Sequence, residues 1–463
     1  MPGKLRTVLH QISSGKRSSS DKMGLETTHA AASEREYDVV VLGATGHTGQ
    51  LAAMYLDKHA ESPRFAIAGR KQAALLELKQ RGKMQDSVGV LVVDTGHLKG
   101  LESVAARTKV LINAVGPYRA LGGAKVVEAC IRAGTHYVDS SGETDFYGEI
   151  VARFHEQAEQ ARVKVVLSAA FACLPMDLAA TLSARKVSQL ASSAPTSRRR
   201  RTQKEEQNIV VDCGFSLPEG GASAGSLLST VAVARHAPEV LKQQGSRWLT
   251  PDSAYTGARA TAIGDEKVDR LAYPGVRRLA YMDKWGAQTP FSAHNVRVIT
   301  RTAALSGLPF VYRETVALPY DWLAYLMAWI SAGFIWLLAH SSLVRFMIEK
   351  IASALPKHAA ASLEEHMKGS VNFSALATVV DLKDAQGKPL QAVCRIKAAH
   401  QDSYLLSAVT MAETALTIIA APKTKRAGGV LTPSLVGVDT YVERLTKHAN
   451  FRFQVEPFSE QDV

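Results

Sequence analysis

The residues most suggestive of chemistry are three regularly spaced glycines that follow an apolar run. The run at residues 37–42 leads into Gly43, Ala44, Thr45, Gly46, His47, Thr48 and Gly49. Gly43 permits a sharp turn, Gly46 lets backbone N–H groups approach a ligand, and Gly49 lets a following helix lie close to a sheet. Because the amino end of a helix carries partial positive charge, the turn is predicted to bind the linked phosphates of a dinucleotide. A purely structural glycine turn is the alternative.

The residues after the next apolar run bear on which dinucleotide is bound. Sites that prefer NAD usually place Asp or Glu there to bind the ribose 2′-hydroxyl, whereas this sequence has Arg70 and Lys71. Because a guanidinium can pair with a 2′-phosphate, these cations favour NADP(H). The alternative is that Arg70 is an ordinary solvated residue at the start of a helix.

The ends of two further apolar runs are predicted to point into the same crevice. Asp94 follows the third run and is a candidate for contact with the adenine end of the cofactor. Asn113 lies at the end of the fourth run. Gly116 and Pro117 force a turn where the nicotinamide ribose is expected to pass.

Candidates for proton transfer lie near the ends of the fourth and fifth runs. Hydride chemistry usually needs one proton donor beside the accepting bond, and the candidates are Tyr118, His136 and Asp139. For each of them, packing or structural hydrogen bonding is the alternative. The sequence contains no HExxH motif, and no bound metal is predicted.

These candidates sit on a regular alternation of predicted strands and helices. The predicted strands are residues 37–42, 65–68, 88–93, 110–114, 136–139 and 163–168. The helices between them are predicted at residues 50–59, 72–80, 98–107, 123–133 and 148–162. This alternation indicates an α/β fold with a doubly wound parallel sheet, a Rossmann domain, whose ligands lie beyond the carboxyl ends of the strands.

Five segments of the sequence match the motifs of one known family. They are residues 43–49 (GATGHTG), 68–70 (AGR), 113–118 (NAVGPY), 136–143 (HYVDSSGE) and 428–433 (GGVLTP). These motifs resemble the saccharopine dehydrogenase-like oxidoreductases, a family that includes the trans-acting enoyl reductases. The resemblance implies an NADP cofactor. The chain departs from the family pattern at Ala172, where the family usually has Asp.

Composition and charge exclude several classes of protein. Hydrophobic residues make up 46% and charged residues 21% of the 463 residues, which is typical of a globular chain. Four cysteines without a CxxC pair exclude a disulfide-dense scaffold. The net charge of +12 favours anionic partners. Nucleic acid is not predicted, because the basic run Arg198–Arg201 lies in a Ser/Thr/Gln-rich stretch typical of a solvated loop.

The chain is predicted to divide into five segments. Residues 1–36 form a basic N-terminal tail, 37–180 the NADP-binding Rossmann domain, and 181–207 a basic Ser/Arg-rich loop. Residues 208–430 form a second, α+β domain for substrate binding and homodimer formation, with a small antiparallel sheet. Residues 431–463 are predicted to return to the Rossmann domain. The tail lacks a long apolar run, which predicts an intracellular protein, with a mitochondrial location as one alternative.

One apolar segment stands apart from the rest of the second domain. From Trp322 to Val344 the chain has no Asp, Glu, Lys or Arg and contains three tryptophans. Because Trp and Tyr rings favour the water–lipid boundary, contact with a membrane or lipid-droplet surface is the favoured interpretation. A buried core or dimer helix and a membrane-spanning helix are the alternatives.

The function that these features favour is an NADP(H)-dependent oxidoreductase. We expect it to reduce a C=C (enoyl) or C=N bond of a hydrophobic substrate that resembles a lipid or a polyketide. One alternative is a non-catalytic protein of membranes or lipid droplets that retains the nucleotide-binding fold. A further alternative is a saccharopine dehydrogenase that acts on an amino acid.

Overall fold

A computed structural model describes most of the chain. The described residues are 35–193, 208–217, 227–232, 234–235, 275–289, 292–354, 369–383, 387–399, 402–421, 424 and 426–459. Nearly all of the predicted N-terminal tail and the basic run Arg198–Arg201 lie outside these residues.

Seven parallel strands form the first sheet. They are β1 (Tyr37–Leu42), β2 (Phe65–Gly69), β3 (Gly89–Val92), β4 (Thr108–Asn113), β5 (His136–Asp139), β6 (Lys164–Val166) and β13 (Gly429–Leu431). Their order across the sheet is β13-β6-β5-β4-β1-β2-β3. The strand order therefore reverses between β1 and β4, which is where doubly wound sheets bind their ligands. The predicted α/β fold is confirmed.

Five helices connect the first six strands. They are α1 (His47–Asp57), α2 (Gln72–Arg81), α3 (Leu98–Ala105), α4 (Gly123–Ala133) and α5 (Thr144–Gln160). The three valines at the centre of β1 have no exposed surface. Burial of the central strands on both faces explains why they read as continuous apolar runs.

Two sequence-based boundaries in this half are wrong. Helix α5 begins at Thr144, four residues before the predicted start at Gly148. Its first turn carries Asp145, whose negative charge suits the positive end of the helix dipole. Residues 181–193 are not a loop, because helix α6 (Leu174–Ser193) continues through them and buries one side, including Val187 and Ala191.

A second sheet follows the first along the chain. Its strands are β7 (Ile209–Phe215), β8 (Arg277–Leu279), β9 (Lys284–Ala287), β10 (Val311–Leu318), β11 (Val371–Lys383), β12 (Pro389–Ala398) and β14 (Arg452–Pro457), in the order β14-β12-β11-β7-β10-β9-β8. The predicted pairing of β11 with β12 is confirmed. The sheet is mixed and not wholly antiparallel, because β7 pairs with β10 in parallel.

Two apolar runs near this sheet are helical. Residues 227–232 and 234–235 are helical, and the run at residues 291–299 begins helix α7 (Ser292–Ser306). The remaining helices are α8 (Asp321–His340), α9 (Ser342–Ala354), α10 (Ser403–Ala420) and α11 (Val438–His448). Short apolar runs do not by themselves distinguish a strand from a buried helix.

One hydrophobic core joins the two sheets. Helix α6 packs on β11 and β12, and the ring of Phe171, just before α6, lies 5.7 Å from that of Phe373 in β11. Helix α10 packs against α1 and against β4. The C-terminal residues contribute to both units, because β13 pairs with β6 and β14 pairs with β12.

Helices α8 and α10 are long and apolar enough to cross a membrane by length and composition, but they differ in burial. In α10, 72% of the most apolar window is buried, which is typical of a core helix. In α8 only 18% is buried. Helix α8 is therefore not a buried core helix, which was one of the alternatives from the sequence.

Candidate functional site

The turn after β1 requires glycine at two positions. Gly43 has a φ of +81°, and a Cβ atom there would lie 2.7 Å from the side chain of Val115. A Cβ atom on Gly49 would lie 2.3 Å from the Gly43 carbonyl oxygen. Any side chain at either position would push α1 away from the sheet. The structure therefore contains the close approach of backbone to backbone that a phosphate-binding turn needs.

The backbone amides of the turn divide into two groups. The Gly43 and Ala44 amides donate to the Ala68 carbonyl at 2.9 and 3.2 Å, and the Gly46 amide donates to the Gly43 carbonyl at 2.9 Å. These amides hold the turn itself. The amides of Thr48 and Gly49 donate to no other protein group within the described residues. With no acidic residue in the first turn of α1, they fit an anionic phosphate.

Arg70 and Lys71 lie where β2 ends and α2 begins. Both side chains are exposed, and neither forms an ion pair with any described residue. A Gln50 side chain on α1 donates to the Thr45 carbonyl at 2.9 Å and accepts from Arg81 at 2.7 Å. This bridge ties the glycine turn to α2, the helix that follows the two cations.

The predicted contacts at the other strand ends also lie at this edge of the sheet. Asp94 accepts the amide of Gly96 at 2.7 Å, which closes the turn after β3. Asn113 is fully buried and accepts the Val115 amide at 3.0 Å, so it holds the turn after β4. The Gly116–Pro117 peptide that follows is cis.

Tyr118 and Asp139 belong to one buried cluster at the ends of β4 and β5. The Tyr118 hydroxyl lies 2.7 Å from Ser140 Oγ and 3.2 Å from the Asn113 carbonyl oxygen. Burial raises the pKa of Tyr118, so the phenol stays protonated at neutral pH.

Asp139 is held by three donors. Its Oδ1 accepts the amides of Ser141 and Ser168 at 2.9 and 3.0 Å, and its Oδ2 accepts the Tyr137 hydroxyl at 2.9 Å. These bonds favour the carboxylate, but burial outweighs them and raises the pKa of Asp139 to about 6.

His136 is not part of this cluster, so its prediction as a proton relay is wrong. It is the first residue of β5, whereas Asp139 is the last, and parallel pairing places Asp139 beside Asn113 and His136 beside Val110. Its Nδ1 accepts the Lys164 amide at 3.0 Å. Burial and the nearby cations Lys164 and Arg35 lower the pKa of His136 to about 4. The side chain stabilises the amino edge of the sheet, opposite the phosphate turn.

Glu143 completes the cluster just before α5. Its carboxylate accepts the amides of Tyr118 and Arg119 at 2.9 and 3.1 Å and the Ser229 hydroxyl at 3.1 Å. Burial raises the pKa of Glu143. It therefore connects the turn after β4 with the helical segment at residues 227–232.

His294 of α7 reaches the same edge, and sequence reasoning missed it. Its Nδ1 lies 3.0 Å from Thr144 Oγ1, and its Nε2 lies 3.0 Å from Ser168 Oγ. The Ser168 hydroxyl donates to the Ser141 carbonyl at 2.6 Å, so Nε2 is assigned as the protonated nitrogen. Burial lowers the pKa of His294 to about 4, and the imidazole is neutral. Because 126 residues separate His294 from Ser168, no local pattern could reveal this contact.

Comparison with known proteins bears on this arrangement. Residues 39–166 match the model of the saccharopine dehydrogenase NADP binding domain. This part of the chain is therefore similar to an NADP-binding domain. The family resemblance inferred from the sequence is confirmed, and the match supports binding of NADP(H).

Two similar curated proteins are named trans-acting enoyl reductases. A trans-acting enoyl reductase of Mycobacterium tuberculosis (strain ATCC 25618 / H37Rv) is 28% identical over 435 residues, 89% of this chain and 96% of the relative. A trans-acting enoyl reductase of Mycobacterium ulcerans (strain Agy99) is 27% identical over 300 residues, 62% of this chain and 67% of the relative. These relatives support an oxidoreductase.

A solved structure resembles the whole chain loosely. Saccharopine dehydrogenase (L-Glu forming) of Saccharomyces cerevisiae is 14% identical, with a TM-score of 0.47 over 91% of this chain and 100% of that chain.

Proposed function

We propose that this protein is an NADP(H)-dependent reductase of a C=C (enoyl) or C=N bond in a hydrophobic substrate that resembles a lipid or a polyketide. The glycine turn after β1 carries this proposal, because its geometry leaves two amides and a helix amino end for linked phosphates. The names of the relatives support the enoyl bond as the group reduced.

The residues of the chain would have separate roles in binding. The turn at Gly43–Gly49 would hold the pyrophosphate, and Arg70 with Lys71 would pair with the 2′-phosphate. Asp94 would lie toward the adenine, and Asn113, Gly116 and Pro117 toward the nicotinamide ribose. When bound, the cofactor supplies a hydride to the substrate.

A proton must reach the reduced bond from the protein or from water. Tyr118 keeps its proton at neutral pH and shares a short hydrogen bond with Ser140, which is half-buried at the end of β5. Tyr118 and Ser140 would together deliver this proton. Asp139 would act by fixing the loops on both sides of Ser140, because it accepts the amides of Ser141 and Ser168.

Fluorescence titration with NADPH and with NADH tests the cofactor half of this proposal. We expect tight binding of NADPH and weaker binding of NADH. Binding of neither would contradict the whole proposal, and a preference for NADH would contradict the role of Arg70. Oxidation of NADPH in the presence of a long-chain 2-enoyl thioester then tests the reaction.

The two alternative functions predict different results in the same assays. A non-catalytic protein could bind NADPH but would not oxidise it in the presence of any enoyl substrate. A saccharopine dehydrogenase would oxidise or form saccharopine. Turnover of the enoyl thioester without turnover of saccharopine would favour the reductase over both.

A further inference from the structure

Helices α8 and α9 together present a large apolar surface, which we call the hairpin face. On α8 the most exposed aromatic side chains are Trp322 (61%), Tyr325 (55%), Trp329 (77%) and Trp336 (60%). Their spacing of three, four and seven residues places them on one side of the helix. On α9 the exposed apolar residues are Leu343, Phe346, Met347 and Ile351.

The hairpin face is too large to be an ordinary solvent-exposed surface. An aromatic side chain has roughly 150–250 Å² of surface. The exposed parts of the four aromatic side chains on α8 therefore present on the order of 500 Å² together. The largest apolar patch on a typical monomer is about 300–600 Å² in total, and the aliphatic residues of the face add to the aromatic part. The face therefore fits a partner that covers apolar surface.

The chemistry of the face favours a lipid surface as that partner. Tryptophan and tyrosine combine an apolar ring with a polar edge and concentrate where hydrocarbon meets water. Lys350 is exposed beside the ring of Phe346, with its Nζ 5.4 Å from the ring centre. The acid next to it, Glu349, is paired with Arg235. Lys350 thus suits anionic headgroups at the edge of the face.

The opposite side of α8 is fixed to the protein. Ala324 has no exposed surface, and Leu338 is only 2% exposed. Asp321 lies at the first turn, where its carboxylate accepts the Trp322 amide at 2.7 Å. A helix that spans a bilayer alone would present all its sides to lipid, whereas α8 keeps Ala324 and Leu338 buried against the protein. This geometry matches a helix that lies in the headgroup region.

The hairpin face is linked to the candidate active site by one short helical segment. Val231 and Ala234 pack against Leu338 of α8, with Val344 and Ile348 of α9 beside them. Two residues before Val231, the Ser229 hydroxyl donates to the buried carboxylate of Glu143 at 3.1 Å. Glu143 in turn holds the amide of Tyr118.

We infer that the hairpin face docks on an anionic lipid surface and that the helical residues 227–232 transmit this contact to Glu143. A hydrophobic substrate would then enter from the lipid beside the crevice. The part of the inference that concerns the crevice rests on the proposed function, whereas the docking itself does not. The experiments below use binding and exchange, so they can fail independently of any test of reduction.

Vesicle binding tests the docking. The full chain is mixed with phosphatidylcholine vesicles that contain about one-third phosphatidylserine, and bound protein is measured by flotation. We expect binding, a blue shift of tryptophan fluorescence, and weaker binding to phosphatidylcholine alone. Absence of binding to the anionic vesicles would overturn the inference. A chain that instead forms dimers through the hairpin face would also overturn it.

A pair of matched variants tests whether the hairpin face is the part that binds. Trp322→Ser/Trp329→Ser/Trp336→Ser removes exposed rings and should weaken vesicle binding roughly tenfold or more. The control Leu76→Ser/Val380→Ser removes side chains that are 44% and 57% exposed elsewhere and should bind as the unaltered chain does. The single variant Trp329→Ser guards against misfolding of the triple variant. Equal binding by all variants would overturn the assignment to this face.

Hydrogen exchange tests the link to the crevice. On vesicle binding, we expect slower amide exchange at residues 227–232 as well as in α8 and α9. The amides of α2, which is remote from the hairpin face, serve as the internal control. Slower exchange in α8 and α9 with no change at residues 227–232 would support the docking. It would overturn the transmission to Glu143.

Discussion

Two buried polar clusters in this protein differ in how far apart along the chain their members lie. At the carboxyl edge of the first sheet, the partners of Asp139 lie within 29 residues of it. Between α1, α10 and α11, the carboxylate of Glu413 contacts His59, which is 354 residues away. The first cluster shapes loops that follow strands, and the second ties together distant parts of the chain.

Both oxygens of the buried Glu413 carboxylate have hydrogen-bond partners. Glu413 has no exposed surface and accepts the Tyr55 hydroxyl at 2.6 Å and Arg444 Nε at 2.9 Å, with His59 Nε2 at 2.9 Å. Arg444 also reaches Glu61 at 2.9 Å. Because a buried charge is costly without its partners, this cluster should govern stability, whereas the cluster at the sheet edge should govern chemistry.

The substitution Arg444→Ala should have the largest effect and should act on stability alone. It leaves Glu413 buried without its cationic partner, which costs about 3–5 kcal/mol of unfolding free energy. Urea denaturation measures this loss, and NADPH affinity of the folded fraction should not change. Glu61→Gln, at a carboxylate that is 43% exposed, is the control and should cost less than about 1 kcal/mol. Equal losses from the two variants would remove the distinction between the clusters.

The substitution Asp139→Asn should change how stability depends on pH. The pKa of Asp139 is about 6 in the folded protein against an ordinary 3.8, so its contribution is complete below pH 3.8 and is lost as pH rises through about 6. The difference in unfolding free energy between the unaltered chain and the variant should therefore shift by up to about 3 kcal/mol from pH 4 to pH 8, in favour of the variant at pH 8.

Urea denaturation at the two pH values measures this shift. Asp94→Asn, a half-buried carboxyl at the same edge of the sheet, is the control for loss of a carboxyl group. Parallel profiles for the unaltered chain and Asp139→Asn would show that the carboxyl is ionised normally in the folded protein.

The substitution Gly49→Ala should weaken NADPH binding roughly 100-fold, equivalent to about 2.7 kcal/mol. The new Cβ atom would lie 2.3 Å from the Gly43 carbonyl oxygen and would displace the turn. Gly142→Ala is the matched control, because its Cβ atom would meet nothing within 4 Å. Fluorescence titration measures affinity and a thermal melt confirms folding. Unchanged affinity in a folded Gly49→Ala protein would argue against phosphate binding at this turn.

The substitution Arg70→Ala should have the smallest effect and should act on one cofactor only. Loss of a charge-assisted hydrogen bond to the 2′-phosphate should weaken NADPH binding about tenfold and leave NADH binding unchanged. Lys58→Ala removes an exposed cation from the far end of α1 and serves as the control. If NADH binding weakens as much as NADPH binding, Arg70 contributes only a general positive potential to the crevice and does not recognise the 2′-phosphate.

The motif-bearing half of the fold was predictable because its signals are local. The first six strands of the first sheet lie in short, mostly apolar runs that are followed by turn residues, and the glycine turn lies directly after β1. The positions of Asp94, Asn113 and Asp139 at one edge follow from parallel pairing alone, since the carboxyl ends of such strands meet. His136 was grouped with the other candidates because histidine often transfers protons. Its position as the first residue of β5, at the opposite end of the strand from Asp139, was not taken into account.

The second half was less predictable because its partners are distant in sequence. The parallel pairing of β7 with β10 joins residues about one hundred positions apart, and no local pattern marks it. The start of α7 shows no helical pattern in the sequence, because the helix is buried along most of its length. Burial removes the alternation of polar and apolar residues that would have identified it.

The sequence by itself determined the phosphate turn, the cations after β2 and the parallel sheet that positions them. Each depends on residue types within a few positions of one another, where glycine conformation and hydrophobic periodicity act directly. Only the tertiary structure decided that His294 reaches Ser168, that Glu413 is shared by three helices, and that one side of α8 is left uncovered. Those outcomes depend on which surfaces meet after the chain has folded, and contact between remote residues leaves no signal in local spacing.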